Sequence, residues 1–505
     1  MSKESYIGGD YIETTGGSSK NFAGGSIENS SLADQLTQNG EESGVTYGIN
    51  EDVPIISTNV ALKKFLVHFR RPSSYQGEYG FDWLREEYIF PIVTVTNDNN
   101  GNSINAPTAL CKNPNRLKQE YLNGAVNNIR PYSITYYPAW LAIFPHTTTA
   151  QFAHGSRMHE NGINLDLQFD ELDNIISDGT EIILESKNQY LKISPKKIAI
   201  ADVISSGKKS RNVSGNTINY YKLEGKVNIK CTGGTLTQHS EIKVFAKLNT
   251  EKVEVGKLMV YKNSVIPKAE IVTINVITHA VPHAQLRNDY HYLFKFQSFN
   301  QALIRAEVTV DTNFDINSLP SNDQDVISFK ANYINSQSNI GTANSTAFKE
   351  DLIKLYEKFG RHKPSNQGID SNANKRTYLF YTTIKAQDNF AGGGYSRIQG
   401  ECSATINSTS ITWGNAYIIY ATALQSKSTV IHEGAHSFSL THTFQEGAHN
   451  SPHIFYKGFT DNVMDYVNQV GVSTRNPFER NDKMNCFFKW QWDIMRRDRS
   501  LIFNY

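Results

Sequence analysis

Cysteine is scarce: 505 residues carry four, Cys111, Cys231, Cys402 and Cys486, and none forms a CxxC pair. That excludes a disulfide scaffold and a cysteine-based zinc site, and it fits a chain made in a reducing cytosol. Charge of either sign is also in short supply. Fifty basic and 49 acidic residues leave a net +1, so no basic field argues for a nucleic-acid partner. No apolar run is long enough to span a bilayer. The segment Met1 to Gly9 lacks the apolar core of a secretory signal, so Sec-type export is not expected. What is present is ordinary globular composition, 39% hydrophobic and 20% charged. Tyrosine and phenylalanine, at 26 each, favour β-rich cores.

Length predicts about three domains, and the patterning divides the chain further. Residues 1–50 form a leader rich in Gly, Ser, Asn and Thr. Its Tyr6-Ile7-Gly8-Gly9 and Phe22-Ala23-Gly24-Gly25 repeat reads either as two rungs of a small β-solenoid or as a flexible linker. Residues 51–154 read as a β-rich domain, with period-two alternation at Phe65, Val67 and Phe69. Residues 155–266 read as an immunoglobulin-like β-sandwich. Ile163, Leu165, Leu167 and Phe169 alternate with polar residues, and Glu241–Leu248 and Val253–Tyr261 flank a polar turn. From 267 to 505 the pattern turns α/β. It includes strands at 271–277, 308–310, 377–384 and 416–421, a helix from Asp289 to Ala306, and another from Phe348 to Phe359. The fold class is thus β-rich N-terminal and middle domains followed by an α/β domain.

Chemistry concentrates in Ser428 to His442. His432 and His436 are four apart, so on a helix they lie about 40° apart around the axis and about 6 Å along it, within reach of one ion. Glu433 is rotated about 100° from His432 and can approach water at the metal without ligating it. His442, ten residues after His432, is out of reach of a straight helix. The helix must end near Ser439 and turn back for His442 to be a third ligand. The pattern HExxHxxGxxH places Gly at that turn. Ser439 in a left-handed conformation costs about 1–2 kcal/mol. Further on, Asp461-Asn462-Val463-Met464-Asp465-Tyr466 offers Met464 for a turn beneath the histidines and Tyr466 for a phenol near the metal. His449 and His453 read as solvated loop residues, and Glu446 is the substitute ligand if Ser439 cannot turn the chain.

The segment His432 to Tyr466 resembles a metzincin zinc peptidase. His442-Thr443-Phe444 and Asn462-Val463-Met464-Asp465-Tyr466 are most similar to the pappalysin/cytophagalysin family, with Ala435, Phe438 and Ser439 as departures. The resemblance implies zinc held by His432, His436 and His442, Glu433 as general base, Met464 as the floor of the site, and Tyr466 as oxyanion or metal contact. Its implied reaction is hydrolysis of a protein or peptide substrate. The clan's strand above the cleft makes Gly393, Gly394 and Tyr395 the candidate substrate edge. An ordinary glycine loop is the alternative there. The leader is similar to those of Bacteroidota proteins exported by type VI or related contractile injection systems. That implies an injected effector or toxin, with a secretion spike or tube component and a cognate immunity protein as partners. The competing readings are a non-exported housekeeping peptidase and a catalytically inactive metal-binding protein.

Overall fold

The computed structural model of the chain describes residues 61–123, 128–146, 160–278, 283–335, 339–340, 342–366, 373–386, 394–396, 402–406, 409–447, 451–479 and 482–505. The leader 1–50, Gly393 and His449 lie outside them. Leu62–Tyr505 clusters as one compact unit.

Its N-terminal half builds two sheets from short alternating strands. The first is antiparallel, in the order Phe65–Arg70, Ile163–Glu171, Asn216–Cys231 and Lys209–Val213, with Leu191–Ser194 also on Asn216–Cys231. The predicted alternation sets its buried face, because Phe65, Val67, Phe69, Ile163, Leu165, Leu167 and Phe169 are all under 5% exposed. The second sheet runs Gly80–Asp82, Ala139–Ala142, Glu251–Val260, Ser240–Leu248, Glu181–Glu185 and Lys197–Ala199. Its central hairpin turns at Asn249, φ +54°, where the polar turn was expected. Ala139–Ala142 pairs in parallel with the hairpin's second strand. Strands from either side of residue 155 are interleaved in both sheets. The sheets meet at Gly256, where a Cβ would fall 2.2 Å from the Val67 carbonyl oxygen. Tyr136 ties them there, its hydroxyl 2.7 Å from Val67 O and 3.3 Å from Lys257 O.

The third sheet runs Arg305–Val310, Lys268–Ile277, Thr377–Thr382, Asn415–Ile419 and Gly394–Ser396. Every pair along that order is parallel except the last, where Gly394–Ser396 lies antiparallel on Asn415–Ile419. Period two explains why both faces are covered. Ala416 and Ile418 join a core with Phe348, Leu352 and Tyr356 of the helix Thr342–Phe359. Tyr417 and Ile419 point the other way, into a core shared with the helix Lys427–Ser437 and both N-terminal sheets.

Two expectations need correction. The predicted helix from Asp289 to Ala306 is broken. It runs Tyr290–Phe296, gives way to a 3-10 turn at Phe299–Ala302, and is followed by the strand from Arg305. Ser298 ends it, since its hydroxyl lies 2.7 Å from Leu293 O, and Leu303 enters the left-handed region at φ +55°. His453 is not solvated. It is 3% exposed, packed edge-on to Trp490 with Glu120 3.6 Å away. No described helix is long and apolar enough to cross a membrane.

Candidate metal centre

The helix Lys427–Ser437 opens on a Ser426 cap, whose hydroxyl accepts the Thr429 N–H at 3.2 Å. Gly434 lets the helix pack close to its neighbours: a Cβ there would meet Phe299 of the 3-10 turn at 3.0 Å and the Tyr417 hydroxyl of the sheet at 3.2 Å. His432 and His436 project from the opposite side, one turn apart. The helix stops after Ser437, and Ser439 takes φ +67°, the left-handed turn the spacing required. A side chain at this position needs an anchor. The Ser439 hydroxyl donates to Asp498 Oδ2 at 2.5 Å, while Asp498 Oδ1 accepts from Ser500 N at 2.9 Å and from Asn415 Nδ2 at 3.0 Å.

The reversal carries His442 back onto the helix. His442 Nε2 lies 3.1 Å from His436 Nε2 and 3.2 Å from His432 Nε2. Tetrahedral Zn–N bonds of about 2.0–2.1 Å place ligand nitrogens about 3.3–3.4 Å apart. The opposite ring nitrogens fix the tautomers. His432 Nδ1–H donates to Val463 O at 2.8 Å, and His436 Nδ1–H donates to Leu440 O at 2.7 Å. Their Nε2 lone pairs therefore face inward without protons, an arrangement that needs a cation at its centre. Burial favours the neutral rings, lowering His432 to about 4 and His436 to about 3, with His442 depressed further. These three histidines are the cluster that satisfies metal-ligand spacing among the described residues. Glu446 is not part of it, being exposed and paired with Lys112.

The second wall is the Met464 turn. Asn462 Oδ1 accepts the Met464 N–H at 2.8 Å, and Met464 O accepts Thr443 N–H at 3.1 Å, linking this turn to the residue after His442. The Met464 side chain is fully buried. Asp465 fastens the loop, accepting N–H groups from Gly458, Phe459, Thr460 and Tyr466 at 2.7–3.1 Å. Tyr466 presents its ring edge-on to His442, 4.8 Å between centroids, and is 38% exposed. Burial and the Glu433 carboxylate push its phenol up to about 12, so it stays a proton donor at neutral pH. Glu433, at 8% exposure, follows His432 on the same helix and also raises the phenol of the fully buried Tyr417. Gly394 and Tyr395 lie on the antiparallel edge strand, opposite Ile419 and Ile418.

Sequence reasoning missed a third layer. Asp461, three residues before Met464, is gripped by Arg71 and by Arg85 Nη2 at 2.9 Å, and Tyr88 donates to it at 3.2 Å. Asn99 donates to Phe444 O at 3.2 Å and to Phe455 O at 2.9 Å. The N-terminal residues thus hold both arms of the metal site. Paired separations of 345 to 390 residues leave no local signal for them.

Together, a parallel sheet with an antiparallel edge, a helix bearing HExxH and three convergent imidazoles define a metallopeptidase. Residues 311–443 match the model of the M12B reprolysin-like metallo-peptidase family, a span ending one residue beyond His442. No curated protein and no solved structure matches the chain significantly. The chain is a zinc metallopeptidase.

The Ser439 anchor makes a separable prediction. Asp498→Ala should weaken zinc retention and lower the melting temperature, because Asn415 and Ser500 also lose their acceptor, at about 1–3 kcal/mol per orphaned buried group. In a Ser439→Gly background the zinc-retention part of that loss should shrink, since Gly holds φ > 0 without an anchor. Zinc transfer to a chromogenic chelator from the four proteins of this cycle measures it. Equal losses in both backgrounds would show that the anchor does not support His442.

Proposed function

We propose that the chain is a metzincin-type, pappalysin-like endopeptidase, with His432, His436 and His442 as zinc ligands and Glu433 as general base. The observation that carries this is the convergence of three Nε2 atoms beside the only carboxylate on the ligand helix. Zinc held there supplies an acidified water and polarises the scissile carbonyl. Glu433 takes the proton released as water attacks and returns it to the leaving amine. The Tyr466 phenol, kept protonated, donates toward the developing oxyanion. The substrate backbone pairs with the edge strand Gly394–Ser396, which among the described residues is last in its sheet, a strand addition on its outer side. The test is cleavage of an unfolded protein by the zinc-loaded chain, with new N-termini identified by mass spectrometry. Cleavage should stop with a strong zinc chelator and return with added zinc. Cleavage indifferent to both treatments would overturn the reading.

We also propose that residues 1–50 deliver this activity through a contractile injection system, on the strength of the leader's Gly-Gly repeat and its resemblance to exported Bacteroidota proteins. Fusion of residues 1–50 to an inert reporter tests it: contraction-dependent export supports delivery, and none removes it. The peptidase reading stands independently.

A further inference from the structure

Lys457 lies on the loop between His442 and the Met464 turn. Its backbone N–H donates to Asn99 Oδ1 at 2.9 Å, so the root of its side chain is fixed by the same asparagine that holds Phe444. Its ammonium sits 4.5 Å from the Tyr466 ring centroid and 5.4 Å from that of Phe444. Those two rings flank the third histidine. Phe444 stacks on His442 at 4.9 Å and 9°, and Tyr466 meets it edge-on at 4.8 Å. The ammonium is therefore within about 10 Å of the His442 ring, a span that about three extended peptide residues cover.

A half-buried cation at a catalytic cleft ordinarily has a counter-ion. Lys457 has no carboxylate within ion-pair distance among the described residues. The acids around it are engaged elsewhere. Asp465 acts on Lys457 only through space, its oxygens taken by four backbone N–H groups and the Thr460 hydroxyl, and Glu446 pairs with Lys112. Aromatic rings hold the ammonium in position without neutralising it. A charge so placed, beside the partly exposed Tyr466, stabilises an incoming anion by a charge-assisted hydrogen bond.

We propose that Lys457 is a specificity-determining residue that receives a substrate carboxylate within about three residues of the scissile bond. The inference rests on the peptidase reading above and names its substrate class: acidic peptides. The carboxylate has two sources, an Asp or Glu side chain and a substrate's own C-terminus.

The experiment uses the zinc-loaded full chain and a randomised peptide library in free-acid and C-terminally amidated forms, with cleavage sites read by mass spectrometry. Preference is expressed as a ratio within each variant, so a general loss of rate cancels. The expected result is a preference for Asp or Glu over Asn or Gln of about tenfold to a hundredfold at one subsite. Lys457→Glu should invert it toward Lys and Arg, and Lys457→Arg should preserve it. A preference found only in the free-acid library, and lost on amidation, assigns the carboxylate to the substrate's end. Zinc content of each variant reports intact folding. Cleavage with no acidic preference, or with one unchanged in Lys457→Glu, overturns the inference and leaves the peptidase reading standing. No cleavage of any library member removes both.

Discussion

Glu433→Gln should lower kcat/KM on any cleaved peptide by about 10²–10⁴-fold while leaving zinc content unchanged, the range removal of a positioned general base produces. The variant keeps the side chain's volume, so the helix Lys427–Ser437 and its Gly434 contact with Tyr417 and Phe299 should survive. It also keeps all three imidazoles, and the rings of His432 and His436 are oriented by Val463 O and Leu440 O. What it loses is the capacity to accept a proton. Glu433 is the carboxylate with a physical claim on that role, because it is the acid on the helix that carries His432 and His436; the other acids near the site serve structural contacts. Asp465 is consumed by backbone N–H groups, Asp461 by two guanidinium groups, and Asp498 by the Ser439 turn. Metal analysis beside steady-state kinetics separates the outcomes. Full activity with full zinc would assign the base elsewhere, whereas joint loss of zinc and activity would mean Glu433 supports the ligands.

The second large effect concerns stability. Arg85 is 3% exposed and bridges Asp82 at 3.1 Å and Asp461 at 2.9 Å, both carboxylates being 1% exposed. Its guanidinium lies over Trp83, 3.9 Å from the ring centroid. Arg85→Ala should cost about 3–5 kcal/mol, because truncation leaves two buried acids partly uncompensated. Asp82 keeps its bonds from Tyr121 and the Lys489 N–H, and Asp461 keeps Arg71, so the loss is severe rather than total. Denaturant unfolding of the zinc-loaded protein measures it. A change below 1 kcal/mol would mean water enters the site and replaces the pairing. The pH dependence has a definite sign. Burial alone would raise Asp461, but Arg85 and Arg71 hold it well below the usual carboxylate range. A depressed carboxyl contributes stability that is complete above the unfolded value of about 4 and is lost as pH falls through and below it. Acid sensitivity in that window should shrink in Asp461→Asn.

The metal site was legible because its signals are local. The spacing of His432 and His436, and the need for a reversal at Ser439, follow from helix geometry, and φ +67° is the conformation that geometry demanded. The hairpin about Asn249 was legible for the same reason, through a polar turn between alternating strands. Interleaving across residue 155 was not. Register between Phe65–Arg70 and Ile163–Glu171 depends on pairing about a hundred residues apart, which alternation within either strand does not encode. The break at Ser298 was hidden because the aromatic spacing of Tyr292, Phe296 and Phe299 continues the helical period across it. Burial of His453 rests on Glu120 and Trp490, and a polar loop composition gave no hint of either.

The arginine clamp bears on how this enzyme can be made smaller. A fragment beginning at Lys268 would inherit His432, His436 and His442 and the whole parallel sheet. It would also strand Asp461 in an apolar interior without the two cations that neutralise it, three residues from Met464. The catalytic module is thus not portable, and trimming, grafting or fusion at that seam should yield insoluble protein instead of a minimal protease.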